Sequence, residues 1–392
     1  MSVRIGAGLT TGTDPSGVDP RVAAVAAGAE AGAALGGAGC DLAVVFVAGA
    51  HLAAPEAVLE GVVEALDPEV LIGCGAGGVL ARGREVEDGT AVSVWAASLD
   101  GGAAHPFHAV ARPVDDGVLI EGLPDFEGAD GALLLPDPYT FPTDAILRDL
   151  ALRAPGVPLL GGLSSARTLD GEGALFLGDE VVDSGAVGVR LEGVELLPCV
   201  SQGAAPVGPE ITVTSADGHV IAELAGQPAL VKIREIVDAL PERERGLIGG
   251  GLLLGLVIDG GKPEYERGDF LVRTLLGADP DAGTIAVGVP VSEGQVIRLH
   301  ARDAVSADDD LREALELRRR ALGDRPPAGS LVFTCNGRGS GMFGVTDHDA
   351  EALDRQLEHA PAAGFFAAGE IGPVGGESFL HGFTATVAIF PG

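Results

Sequence analysis

The sequence predicts an α/β protein in which repeated strand-helix-strand-strand units form mixed sheets flanked by helices. Two packed lobes are expected, residues 1–205 and 206–392. Three observations carry this. An apolar run, an amphipathic helix, a second apolar run ending in a glycine cluster and a closing strand occur in that order three times. The first two copies also keep one spacing, Val45 to Gly73 matching Leu133 to Gly161. Finally, aromatic residues make up only 4% against 61 glycines, so the core is built from closely packed Ala, Val, Leu and Ile.

The elements follow in chain order. An Ala-rich helix is expected from Asp19 to Gly36, its glycines permitting close packing. In the first copy the helix Pro55 to Leu66 presents Val58, Leu59, Val62 and Leu66 on one face. It leads to "LIGCGAGG" (71–78), and then, after a glycine-broken connection, to a strand at 91–98. The second copy has a strand at 131–136, a helix from Asp144 to Ala154, "VPLLGGLSSA" (157–166) and a strand at 186–191. The third has "SLVFTCNGRG" (330–339), a helix from about Asp347 to His359 with Ala350, Leu353 and Leu357 inward, "GFFAAGEIGP" (364–373) and a closing strand at 383–390. Recurrence of this kind argues for internal duplication. Each strand-helix-strand segment is a crossover that favours parallel pairing.

Between the second and third copies, strands are expected at 195–201, 211–224, 251–258, 269–276 and 283–291. "QGAAPVG" (202–208) reads as a proline-glycine turn joining the halves, and Pro228 to Leu240 as a helix. A surface helix is predicted from Ser306 to Leu322, with Ser306 as its cap. Asp308 to Asp310 lie near its positive end and Arg318 to Arg320 near its negative end.

Gly73, Gly75 and Gly78 fit the G-x-G-x-x-G spacing of a dinucleotide loop. Such a loop needs a helix directly after it to meet the pyrophosphate. Residues 79–90 have no helical recurrence of apolar positions, and the helix precedes the loop instead. The glycine elbow is therefore a structural device, letting the chain turn sharply at a strand end and another backbone or a ligand approach closely. If the copies pack about a common axis, the three elbows line one cleft.

The charge balance is 57 acidic against 25 basic residues, a net of −32. A phosphate array would repel such a surface, so nucleic acid and anionic membranes are not expected partners. The two lysines, Lys232 and Lys262, lie outside any P-loop motif. The four cysteines are far apart, which excludes a C-x-x-C site and suits a reducing cytoplasm. The opening stretch lacks the apolar segment of a signal peptide, and the apolar run Gly246 to Ile258 is too short to span a bilayer, so no membrane insertion is expected. His105 and His108 of "HPFH" fall on opposite faces of a strand, and no metal site is expected.

"FTCNGRG" (333–339), "GFFAAGEIGP" (364–373) and "LHGFTATVAIF" (380–390) resemble the C-terminal half of the FIST sensory domain. "LIGCGAGG" and "QGAAPVGPEITVT" (202–214) resemble its N-terminal half and the junction, the likeness being clearest from residue 41. The resemblance implies an intracellular small-ligand sensor, with amino acids the usual suggestion and haem reported for one branch. With no attached output module in the chain, the signal is expected to pass to a separate signalling protein.

The candidate ligand-binding residues are Gly73, Gly75, Gly161, Ser164, Ser165, Cys335, Asn336, Arg338, Gly339, Glu370 and His381. Arg338 and Glu370 lie in glycine-bracketed loops, where a guanidinium can grip a carboxylate and a carboxylate can accept from an ammonium. Together they suit a zwitterion; equally they can brace each other as an internal ion pair. Ser164 and Ser165 offer hydroxyls and amides, or simply form the turn. Cys335, next to an arginine, is either a reactive thiolate or a packed thiol. A small-ligand sensor is the leading expectation. The alternatives are an enzyme using Cys335 with His381 as base and Glu370 or Asn336 in support, a haem-based gas sensor with His381 as axial ligand, and a partner-docking scaffold.

Overall fold

The computed structural model describes residues 3–12, 19–115, 117–249, 251–258, 260–262, 265 and 267–392. Met1 and Ser2 of the opening stretch and Gly250 of the apolar run lie outside them. Each repeat builds the centre of its own sheet. In the first, Leu42–Ala48 pairs in parallel with Val70–Ala76 and antiparallel with Thr90–Ser98. In the second, Gly131–Pro136 pairs likewise with Leu159–Gly162 and Ala186–Glu192. In the third, Pro327–Cys335 takes Ala362–Ala367 and Thr384–Pro391. Parallel pairing follows from the intervening helices Pro55–Leu66, Thr143–Arg153 and His348–Gln356, which carry the chain back to its starting edge.

The segment after each glycine cluster leaves its own sheet. The hairpin of Val79–Ala81 and Arg84–Val86 pairs with Ala362–Ala367 of the third repeat. That of Leu175–Leu177 and Glu180–Val182 pairs with Val70–Ala76 of the first. That of Glu370–Val374 and Glu377–His381 pairs with Leu159–Gly162 of the second. The exchange is cyclic: first to third, third to second, second to first. Residues 79–90, expected to be a connection, contain the first of these hairpins. Its strands are three residues long and too short to register as an alternating pattern.

The inner faces of the three sheets share one core. Phe46 stacks on Phe365 at 4.8 Å between ring centres and meets Phe333 edge-on, and Trp95 packs against Phe390. The crossover helices cover the outer faces through the predicted positions: Val58, Leu59 and Val62 are fully buried, as is Leu353.

The chain divides into two compact units. One contains the three repeats, residues Met1–Val200, Leu311–Leu380 and Ala385–Gly392; the other is Ser201–Asp310 with His381–Thr384. This division differs from the sequence halves 1–205 and 206–392, because the third repeat joins the first two. In the second unit, six strands pair antiparallel in the order Ala204–Asp217, Val296–Arg302, Leu252–Val257, Phe270–Asp279, Thr284–Val287 and Val220–Leu224. The last pairs back with the first, closing a barrel that the helix Ala229–Ala239 caps with Ile233 and Ile236. "QGAAPVG", expected as a turn, belongs mostly to the long strand Ala204–Asp217. Its second glycine sits at a bulge, with Gly208 at φ 65° where the register shifts between Val207 and Glu210. The predicted surface helix spans Ala304–Leu322, so Ser306 lies inside it and Asp303 precedes its first turn. The Ser306 hydroxyl donates to the Asp303 carboxylate.

One glycine shows why the elbows carry no side chains. Gly161 sits at φ 152°, and a Cβ there would lie 1.9 Å from the Leu134 carbonyl oxygen. We expect Gly161→Ala to lower unfolding stability by about 2 kcal/mol or more, measured by chemical denaturation. A substitution without effect would mean that the elbow relaxes freely.

Candidate functional site

The cyclic exchange brings the three elbows together. The carbonyl of Gly75 accepts from the Ser164 hydroxyl at 2.9 Å and from the amides of Ser165 and Ala166, both at 3.3 Å. The Gly77 amide donates to Ser165 Oγ at 2.9 Å, and that hydroxyl donates on to the Phe366 carbonyl. Leu163 N donates to Gly369 O, Ala368 N to Leu163 O, and Phe366 N to Gly78 O. Asn336 N donates to Ala367 O at 2.9 Å. These bonds form a ring in which each elbow satisfies its neighbours. The elbows thus meet, but through direct bonds and not as the walls of the expected cleft: the amides of Gly75, Gly77, Ser164, Ser165 and Asn336 are spent within the protein. At the ring's surface Gly77, Asn336 and Ala368 are exposed, with Ser165 and Gly337 half-exposed. Asn336 Oδ1 lies 3.8 Å from where a Gly77 side chain would begin.

The other predicted residues divide by depth. Gly73 and Gly75 are buried in the strand Val70–Ala76, with no room for a side chain; a Cβ on Gly75 would be 2.9 Å from both Ala166 O and Ala174 Cβ. Cys335 ends its strand, buried, and its sulfur accepts from the Gly337 amide at 3.5 Å. Glu370 is buried opposite Gly162 in the strand register. His381 is buried and falls within the second unit.

Arg338 is 1% exposed, and its main partner is Asp349, a residue that did not figure among the candidates. Nε and Nη2 donate to the two Asp349 oxygens at 2.7 and 2.9 Å, a bidentate pair. Thr334 Oγ1 also donates to Asp349 at 2.7 Å, and His348 Nδ1 shares a hydrogen bond with it at 2.9 Å. Burial alone would raise the Asp349 carboxyl. Arg338 and the bonds from His348 and Thr334 outweigh it and hold the group well below the usual carboxylate range. Cys335 and Glu370 are close enough to Arg338 to act on its charge. Among the described residues, Arg338 Nη1 has no hydrogen-bond acceptor. Asp349 was legible in one respect: it stands four residues before Leu353, on the helix's apolar face, where an acid needs a buried partner.

The hairpin from the first repeat contributes two more carboxylates. Glu87 accepts from the Ser340 amide at 2.7 Å and from its hydroxyl at 3.0 Å. Glu85 accepts from the Ala350 amide at 2.9 Å, while its own amide donates to Asp347 at 2.6 Å. Burial, with Asp349 and Glu87 adding like charge, pushes the Glu85 carboxyl up to about 7. Gly339 presses on Glu87: a Cβ there would lie 2.1 Å from Oε2. Two surface hollows of about 440 and 630 Å³ occur elsewhere in the repeat unit. The first is edged by Glu56, His108, Leu169 and Asp183, the second by Glu30, Arg82, Asp354 and His359, and the predicted site residues line neither.

Comparison with known proteins places this arrangement. The FIST N domain model matches residues 41–227 and the FIST C domain model residues 229–373. The chain belongs to the FIST family. FIST domains are sensory domains of signalling proteins. The chain is also 44% identical over 389 residues to "Uncharacterized protein Rv0628c" of Mycobacterium tuberculosis H37Rv, covering 99% of this chain and 100% of that one. It is equally similar to "Uncharacterized protein Mb0898c" of Mycobacterium bovis, covering 99% of each. The FIST N match ends, and the FIST C match begins, inside the barrel unit, so the elbow ring draws on both FIST segments. Among the described residues, no helix is long and apolar enough to cross a membrane.

Two outcomes follow for the FIST polar cluster. Arg338→Ala leaves the Asp349 carboxylate buried without its partner and should cost about 3–5 kcal/mol of stability; Arg338→Met with Asp349→Leu, which removes both charges, should cost clearly less. Denaturant titration of the three proteins checks the order. Because Glu85 titrates higher in the folded protein than the ordinary 4.5, its contribution to stability is present below pH 4.5 and is lost as pH rises to about 7. Glu85→Gln should flatten the stability profile across that window; an unchanged profile would show that Glu85 does not set it.

Proposed function

We propose that the protein is a cytoplasmic small-ligand sensor that binds a polar metabolite, a free amino acid or a relative of one, at the elbow ring and passes the signal to a separate protein. Support comes from the sensory character of the family and from one geometric observation. Three repeats meet at a single point, where Gly77 and Ala368 lie beside Asn336, two residues before a buried arginine with a spare donor. Arg338 Nη1 suits a ligand carboxylate, and Asn336 and Ser165 suit its polar remainder. Glu370 adds negative charge near Arg338, which favours a ligand carrying an ammonium. A ligand held there touches all three repeats, so binding energy is spent on their mutual arrangement, as a sensor requires.

A thermal-shift screen against amino acids, nucleotides and haem tests the reading. A true ligand at about 100 times its Kd adds about 2.7 kcal/mol of stability. Asn336 is the residue to vary, since it is exposed and its loss spares the Arg338–Asp349 pair. Asn336→Ala should weaken the response while the unliganded melting temperature stays unchanged. No response to any amino acid would sink the proposal, and a haem response with its own absorption band would replace it.

A further inference from the structure

We propose that residues 339–347 form a lid over Arg338, latched shut by Glu85 and Glu87 of the neighbouring hairpin. The inference rests on the ligand site proposed above and names what controls access to it. A buried arginine can serve an incoming ligand only if its cover moves.

The cover is a short loop with glycines at its start and within it. It begins at Gly339, continues through the single helical turn Ser340–Phe343, reverses at Gly344 with φ 72° and ends at Asp347. Gly341, Gly344, Val345 and Thr346 are exposed, so the outer part of the loop packs on little. On its inner side the Phe343 ring centre lies 5.2 Å from the Arg338 guanidinium carbon, and Phe343 stacks flat on His348. His348 in turn contacts the Asp349 carboxylate that grips Arg338. The aromatic cover and the arginine are therefore joined through one acid.

What fastens the loop comes from another repeat. Glu87 holds its first turn through the Ser340 amide and hydroxyl. At the far end, Asp347 accepts from the Glu85 amide and pairs with Arg84 at 3.3 Å, and Glu85 holds Ala350 just beyond. Both ends are thus tied to one hairpin, and the segment between them has no comparable anchor among the bonds described. The bonds to the Glu87 and Asp347 carboxylates are charge-assisted, strong enough to hold a loop and few enough to release it.

The test uses full-length protein without any ligand. Hydrogen exchange is followed in peptides covering 337–347, and iodoacetamide labelling of Cys335, which sits beside Arg338, is followed by mass spectrometry. Cys74 and Cys199, buried elsewhere, report global unfolding. Glu87→Ala should raise exchange in that segment and speed labelling of Cys335 about tenfold, with Cys74 and Cys199 unchanged. Phe343→Ala should do the same by removing the cover. Should Glu87→Ala fold poorly, Ser340→Ala removes one latch bond and should give the same pattern, smaller in size. The lid is overturned if Cys335 labelling stays at the wild-type rate in these variants, or rises only in step with Cys74 and Cys199. Because no ligand is present, a failed metabolite screen leaves this result standing, and a failed lid test leaves the screen's result standing.

Discussion

Everything in the repeat unit depends on the exchange of hairpins at the elbows. Each repeat alone ends its second crossover strand as a bare sheet edge, with unpaired amides and carbonyls. The hairpin that covers this edge always comes from another repeat, delivered by a chain that has just turned through a glycine cluster. Three edges are satisfied at once, and the shared core of Phe46, Phe333, Phe365 and Trp95 forms only when all three sheets face inward. The turns must be tight and their backbones must nearly touch, which is why Gly75 and Gly161 have no space for a methyl group.

The polar cluster follows from the same constraint. Arg338 follows the first strand of the third repeat, Asp349 lies in the first turn of that repeat's crossover helix, and Glu85 and Glu87 arrive with the hairpin from the first repeat. Acids from one repeat and an arginine from another meet in a region that packing has dried. There the bidentate pair is strong, and a carboxyl lacking a cation, such as Glu85, titrates far above its ordinary value.

Much of the repeat architecture was readable because it is local. Helix faces and their flanking apolar runs repeat within about 30 residues, and Val58, Leu59, Val62 and Leu353 lie buried where periodicity put them. The elbows were legible as glycine clusters, and their lack of a following helix ruled out a dinucleotide loop. The exchanged hairpins were not legible: three-residue strands give no alternation, and their partners lie some 100 to 280 positions away. The barrel's long first strand hid behind a proline-glycine segment whose last glycine, Gly208, marks a bulge and not a turn. Arg338 was found as a residue of interest, but its partner came from a helix face read only for its apolar positions.

The order in which the edges are covered bears on how the chain is made. Leu159–Gly162 emerges from the ribosome about 200 residues before Glu370–Val374, the strand that will protect it. In the interval the barrel unit is synthesised, and an apolar strand edge of the second repeat waits uncovered. A nascent chain in that state is prone to pair with a neighbour, so shielding by chaperones or slow, dilute synthesis matters more here than the finished molecule would suggest.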